Sequence, residues 1–138
     1  MSDSEVRKFD VTKKESINSV QDFVSEWCEN NGVSMKSITK LSVCIDEIAS
    51  NIIFYSGATF FSVECKDNGD DISIRFSDDG KEFDPLTQAK EPDIALSLEE
   101  REIGGLGIFM VKKMMKSVSY ARNGNLNELT MITEKSSS

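Results

Sequence analysis

Between residues 34 and 55, Ile38, Leu41, Ile45, Ile48, Ile52 and Tyr55 recur at spacings of three and four. That period lays one continuous apolar stripe along a helix. Ser34 stands before it as an N-cap, and Ser56-Gly57 ends it. Upstream, residues 15–31 repeat the helical period with Ile17, Val20, Val24, Trp27 and Cys28, and Asn30-Asn31-Gly32 closes that helix. A polar tail and a short alternating segment around Phe9 and Val11, read as an edge strand, come first.

The period then changes to two. Phe61, Val63 and Cys65 alternate with Phe60, Ser62 and Glu64 over residues 60–66, and Ile72, Ile74 and Phe76 with Ser73 and Arg75 over residues 71–77. The Asn68-Gly69 step between them predicts an antiparallel hairpin. Pattern is lost over residues 80–103, a polar connection with two prolines, many carboxylates and a possible helical turn near residues 94–98. A loop of that length in a compact domain is usually a lid or a disordered segment, and its place between two glycine motifs favours a lid over 84–103. Residues 105–117 return to helical register. Residues 118–122 and 126–133 read as strands around an Asn123-Gly124-Asn125 turn. The whole predicts an α+β protein: a two-layer sandwich, helices on one face of a mainly antiparallel sheet, forming a single domain over 1–138.

Composition narrows the function. The chain has 138 residues, a net charge of −8 and no histidine. The negative charge argues against nucleic-acid or anionic-membrane binding; the one basic cluster, Lys112, Lys113 and Lys116, suits the end of a helix. Without histidine, Ser-His-Asp and Cys-His chemistry is excluded, as is a histidine phosphoacceptor, and a general-base task falls chiefly to a carboxylate. Three scattered cysteines suggest core residues, neither disulfides nor a zinc site. No apolar run approaches a bilayer span and the start has no apolar leader, so a cytoplasmic protein is expected.

Three places carry candidate chemistry. Glu47 and Asn51 stand one turn apart on the long helix. Each alone reads as a polar rim residue; together they offer an amide oxygen suited to magnesium and a carboxylate suited to orienting or deprotonating a nucleophile that attacks a phosphate. Asp78-Asp79-Gly80 ends a strand. It is either a simple turn or an aspartate that accepts from an adenine amino group beside a glycine that admits the ring. Gly104-Gly105-Leu106-Gly107 opens a helix, where exposed N–H groups favour phosphate; it lacks the Lys-Ser/Thr of a P-loop and the parallel unit of a dinucleotide fold. Read together, the three surround one nucleotide.

In the order Glu47-Ile48-Ala49-Ser50-Asn51, Asp78-Asp79-Gly80-Lys81-Glu82-Phe83-Asp84-Pro85 and Gly104-Gly105-Leu106-Gly107-Ile108-Phe109-Met110-Val111, these segments resemble the N, G1 and G2 boxes of GHKL ATPases. The short length and the D-x-G-x-x-F-D-P form resemble the bacterial anti-sigma factor serine/threonine kinases. The resemblance implies a Bergerat-type (histidine-kinase-like) fold binding ATP and Mg2+. Glu47 would be the catalytic carboxylate, Asn51 the metal-binding asparagine, Asp78 the adenine reader with Gly80 and Phe83 beside it, and Gly104, Gly105, Leu106 and Gly107 the phosphate side. It further implies phosphorylation of an anti-sigma factor antagonist (a STAS-type domain), sequestration of a sigma factor, and a homodimer.

The sequence departs from the family at Phe54-Tyr55-Ser56, where a histidine and a small residue are common. It departs again at Asn127-Glu128-Leu129-Thr130, which replaces a Gly-Thr box; Thr130 is assigned a phosphate-side role there. The acidic residues after Asp84 read as a solvated lid face. The alternative to a kinase is a non-catalytic module whose shape ATP switches, and Glu47 counts against it. A detached histidine-kinase catalytic domain is disfavoured by the missing phosphoacceptor, and a chaperone- or gyrase-type hydrolase by the lack of a second domain to drive.

Overall fold

The computed structural model describes residues 4–13, 15–88 and 105–136. Among the described residues, five strands form one antiparallel sheet: β1 (Ser4–Asp10), β2 (Phe60–Asp67), β3 (Asp71–Asp78), β4 (Ser117–Asn123) and β5 (Leu126–Glu134), in spatial order β1-β2-β3-β5-β4. Helices α1 (Ser16–Asn30) and α2 (Met35–Tyr55) follow β1; a single turn α3 (Pro85–Gln88) follows β3; α4 (Gly105–Met114) precedes β4. The expected α+β two-layer arrangement is the observed one.

The core lies between sheet and helices. Phe61, Val63 and Cys65 of β2, Ile72, Ile74 and Phe76 of β3, and Leu129 and Met131 of β5 are all buried, each alternating with less buried neighbours. From the helices come Val20, Phe23, Val24 and Trp27, then Leu41, Ile45, Ile48 and Ile52, with Ile108 and Val111 of α4 completing the layer. Each such side chain contributes roughly 1.5–3 kcal/mol by leaving water, so the stripe on α2 is enough to fix that helix to the sheet. Its last member departs from the expectation: Tyr55 is 53 % exposed, at the mouth of the site described below.

Both ends of α2 are anchored. The Ser34 hydroxyl caps its first turn by accepting from the Ser37 N–H, as expected. The Ser37 hydroxyl donates to the Glu134 carbonyl at 2.7 Å, tying the same turn to the end of β5. β1 begins earlier than predicted, at Ser4, and excludes Val11. Phe9 is its one buried residue, so an exposed edge strand held by backbone pairing to β2 carried almost no alternation to read. α4 stops at Met114, before the expected 117; Lys116 lies beyond it and pairs with Asp71 at 2.8 Å. Within the connection 84–103 the root is helical, the Leu86 N–H donating to Asp84 at 2.9 Å. Residues 89–103, the helical turn expected at 94–98 and Gly104 lie outside the described residues.

Candidate nucleotide-binding site

The C-terminal half of α2, the ends of β3 and β5, β4 and the start of α4 surround a cavity of about 130 Å³. Its walls are mostly apolar, formed by Ile48, Ile52, Phe76, Phe83, Ile108 and Leu129, and its polar groups are few: Asn51, Asp78, Tyr120 and Asn127 among them. A concave apolar slot with a few directed polar groups suits a flat heterocycle.

Glu47 and Asn51 meet as their spacing predicts. The Asn51 amide nitrogen donates to Glu47 Oε2 at 2.9 Å. That bond orients the amide and leaves its oxygen as the acceptor Asn51 can offer at the cavity wall. Burial pushes the Glu47 carboxyl up from its ordinary range; the Asn51 bond opposes the shift and the nearby Asp46 charge adds to it. Gly107 lies directly against this pair. A Cβ on Gly107 would stand 1.9 Å from Glu47 Oε1 and 2.5 Å from Oε2, closer than any real contact. Only a residue without a side chain lets the first turn of α4 lie on that carboxylate. Gly105 begins the same turn, with Leu106 next to it.

Asp78 ends β3 pointing into the core side, 6 % exposed. Its Oδ1 accepts from the Gly80 N–H at 2.9 Å and from the Asn127 amide at 3.1 Å. Burial raises its carboxyl above the usual aspartate range, while those two bonds and Arg122 pull it back. A Cβ on Gly80 would be 2.6 Å from the Ser56 carbonyl oxygen, so Gly80 is required for β3's exit to pass under the end of α2. The Lys81 N–H donates to that same carbonyl at 3.2 Å. Asp79 faces away from the cavity, where Thr59 bonds hold its carboxyl below the usual range.

Asn51, Asp78 and Phe83 therefore line one cavity, Gly80 underlies it, and Glu47 with Gly107 borders Asn51. Thr130 does not join them. Its partners across the ladders are Arg75 and Ser119, and it sits on the sheet face opposite Phe76, Leu129 and the cavity. Its phosphate-side assignment is corrected accordingly: strand alternation turns it away.

The residue that fills the role of a polar partner on β5 is Asn127. It is 6 % exposed and bonded to Asp78, and the sequence hides its inward phase because Leu126 to Ile132 carries apolar residues in both phases. Its signal was available in the hairpin: counting back from the Gly124 turn pairs Asn127 with Arg122. Tyr55, Ser56 and Tyr120 were also absent from the expected set and line the cavity.

Magnesium fits one corner. Among the described residues no group of three or more carboxylate or thiol ligands could hold a metal unaided. A cation that keeps several waters and shares phosphate oxygens needs little more than the one amide oxygen Asn51 offers.

Comparison with known proteins bears on the family and the fold. The chain is 30% identical over 95 residues to the serine/threonine-protein kinase BtrW of Bordetella bronchiseptica, a match covering 66% of this chain and 66% of BtrW. A structure of the RsbU and RsbW domains of a Mycobacterium tuberculosis protein superposes with a TM-score of 0.62 at 12% identity, covering 95% of this chain and 32% of that one. The Acinetobacter baumannii histidine kinase AdeS gives 0.57 at 11% identity, covering 95% of this chain and 68% of that one. Both structural likenesses speak to the fold alone. No helix among the described residues is long and apolar enough to cross a membrane. Residues 11–133 match the histidine kinase-like ATPase domain, and the chain belongs to that family.

Proposed function

We propose that the chain binds ATP with magnesium and transfers its terminal phosphoryl group to a serine or threonine of a protein partner, an anti-sigma factor antagonist. One observation carries this reading: a carboxylate raised by burial, Glu47, is hydrogen-bonded to the amide that borders an apolar, aspartate-ended cavity. A site that only held nucleotide would gain nothing from that carboxylate. The adenine ring enters between Phe83, Ile52 and Leu129, with its amino group toward Asp78. The phosphates run toward Gly105 and Gly107, where the first N–H groups of α4 and its dipole favour negative charge. Asn51 supplies an oxygen to magnesium, which when bound neutralises phosphate charge. Glu47 accepts the hydroxyl proton of the partner's serine or threonine as its oxygen attacks the terminal phosphorus and the bond to ADP breaks.

The similarity to BtrW supports the kinase reading. The D-x-G-x-x-F-D-P form from Asp78 to Pro85 supports the anti-sigma branch, with sequestration of a sigma factor and a homodimer as its further content. The test is calorimetric titration with ATP, with and without magnesium, followed by transfer of labelled phosphate to an antagonist domain. Magnesium-dependent binding weakened by Asn51→Ala, together with a labelled serine or threonine, is the expected result. Binding without transfer to any antagonist domain would leave only the switch-module reading standing.

A further inference from the structure

Asn127 belongs to none of the three sequence motifs, yet it is the most connected polar side chain at the base-binding end of the cavity. Its amide nitrogen donates to Asp78 Oδ1 at 3.1 Å, to the Lys81 carbonyl at 2.8 Å and to the Gly80 carbonyl at 3.4 Å. Its amide oxygen accepts from the Tyr120 hydroxyl at 2.5 Å, from Arg122 Nη1 at 3.1 Å and from the Phe83 N–H at 3.3 Å. We propose that Asn127 is a positioning residue that sets the purine preference of this site, holding Asp78 so that one carboxylate oxygen alone remains to read a 6-amino group. The proposal rests on the ATP-binding reading above.

The orientation of the amide is decided by its surroundings. A backbone N–H and a guanidinium can only donate. If the amide were turned over, its NH₂ would face the Phe83 N–H and Arg122 while its oxygen faced Asp78 and two carbonyls. Every one of those contacts would become repulsive, so Arg122 and Phe83 lock the NH₂ toward Asp78, and the Tyr120 hydroxyl, which can donate or accept, holds the amide oxygen in that place.

The consequence falls on Asp78. Its Oδ1 already takes the Asn127 amide and the Gly80 N–H. Oδ2 accepts from none of the described residues, and Asp78 lines the cavity. A fixed lone acceptor at the end of an apolar slot favours a ring edge that presents N–H and leaves one presenting a carbonyl oxygen unpaired. Asn127 also joins Asp78 to Lys81 and Phe83, so the wall that faces the ring is held by the same side chain that aims the reader.

The experiment titrates the full chain with ATP, with purine riboside triphosphate, which lacks only the 6-amino group, and with GTP. Wild type is expected to bind ATP about tenfold or more tightly than either, the worth of one hydrogen bond to a charged acceptor. In Asn127→Leu the ratio of ATP to purine riboside triphosphate should collapse toward one, because Asp78 is no longer held. Tyr120→Phe, which removes a single donor and tests the lock in case the first variant does not fold, should reduce the ratio severalfold with little change in Tm. Weakening of all three nucleotides by a common factor, with the ratio kept in both variants, would mean that Asn127 only supports the fold and would overturn the inference. Equal binding of ATP and purine riboside triphosphate by wild type would overturn it while leaving the nucleotide site intact. Binding of none of them by wild type would remove the ATP reading and this inference together.

Discussion

Glu47 is poised between two opposed effects, and its pH behaviour follows from which is larger. Burial raises its pKa, and the Asn51 hydrogen bond only partly reverses this. A general base must be ionised, so the phosphoryl-transfer rate should fall on acidification at a pH above that at which an ordinary glutamate is protonated. Linkage runs the other way. Because the folded pKa is raised, this group's contribution to stability is fullest below the unfolded pKa and declines as pH rises through the folded one. Glu47→Gln keeps the shape and removes that decline. It should therefore lower transfer about 10²–10⁴-fold, leave ATP affinity within a small factor, and raise Tm slightly at neutral pH. Transfer rates equal to wild type would sink the base assignment. Gly107→Ala approaches the same carboxylate from the opposite side. Its Cβ would overlap Glu47 Oε1, so either α4 retreats or the carboxylate swings away, at a cost of about 1–3 kcal/mol. Lower Tm together with a loss of transfer as deep as that of Glu47→Gln is expected from denaturation and single-turnover assays.

Among the elements, α2 carries both the core stripe and the Glu47–Asn51 pair, and its two ends do different work. The Ser34 cap and the Ser37 bond to Glu134 anchor its start to β5, roughly 25 Å along the helix from Asn51 at 1.5 Å per residue. Ser34→Ala should thus cost about 1 kcal/mol of stability without moving the ATP dissociation constant; a matching loss of affinity in calorimetry would show that the far end tunes the site. Gly80→Ala belongs to the other end, where the obstructing atom is the Ser56 backbone carbonyl. Backbone cannot yield as a side chain can, so both Tm and ATP affinity should drop. Elements whose burial is one-sided were legible from their residues: α2, the β2–β3 hairpin and the Ser34 cap all follow from period and turn chemistry. So was the meeting of Glu47 with Asn51, since four residues on a helix fix their separation. That β1 is an edge strand was legible around Phe9, but its bounds were not, because an exposed edge strand is delimited by its partner β2. Nor was the inward phase of β5, where Leu126 and Ile132 compete with Leu129 and Met131 until the register with β3 pairs Leu129 with Phe76. The misplacement of Thr130 and the omission of Asn127 are both that single ambiguity.

At the scale of the whole molecule, the three cysteines report on whether the two layers open as one unit. Cys28 lies in α1, Cys44 in α2 and Cys65 in β2, and all three are buried free thiols. Burial pushes Cys28 up to about 12 and Cys44 up to about 11, and raises Cys65 further still. The reactive thiolate is therefore scarce in the native state at pH 8, and a bulky disulfide reagent must wait for opening. If sheet and helices separate only together, the three should label with one common rate. ATP and magnesium, bound in a cavity walled by α2, β3, β4, β5 and α4, should then slow all three alike. The expected slowing is about a hundredfold when free nucleotide is a hundred times its dissociation constant. Mass spectrometry of quenched aliquots resolves the sites. Rapid labelling of Cys28 alone, indifferent to ATP, would show α1 leaving the core independently of the nucleotide site, and the single-unit picture would fail. Equal protection of all three would tie the stability of the whole sandwich to occupancy of one end of it.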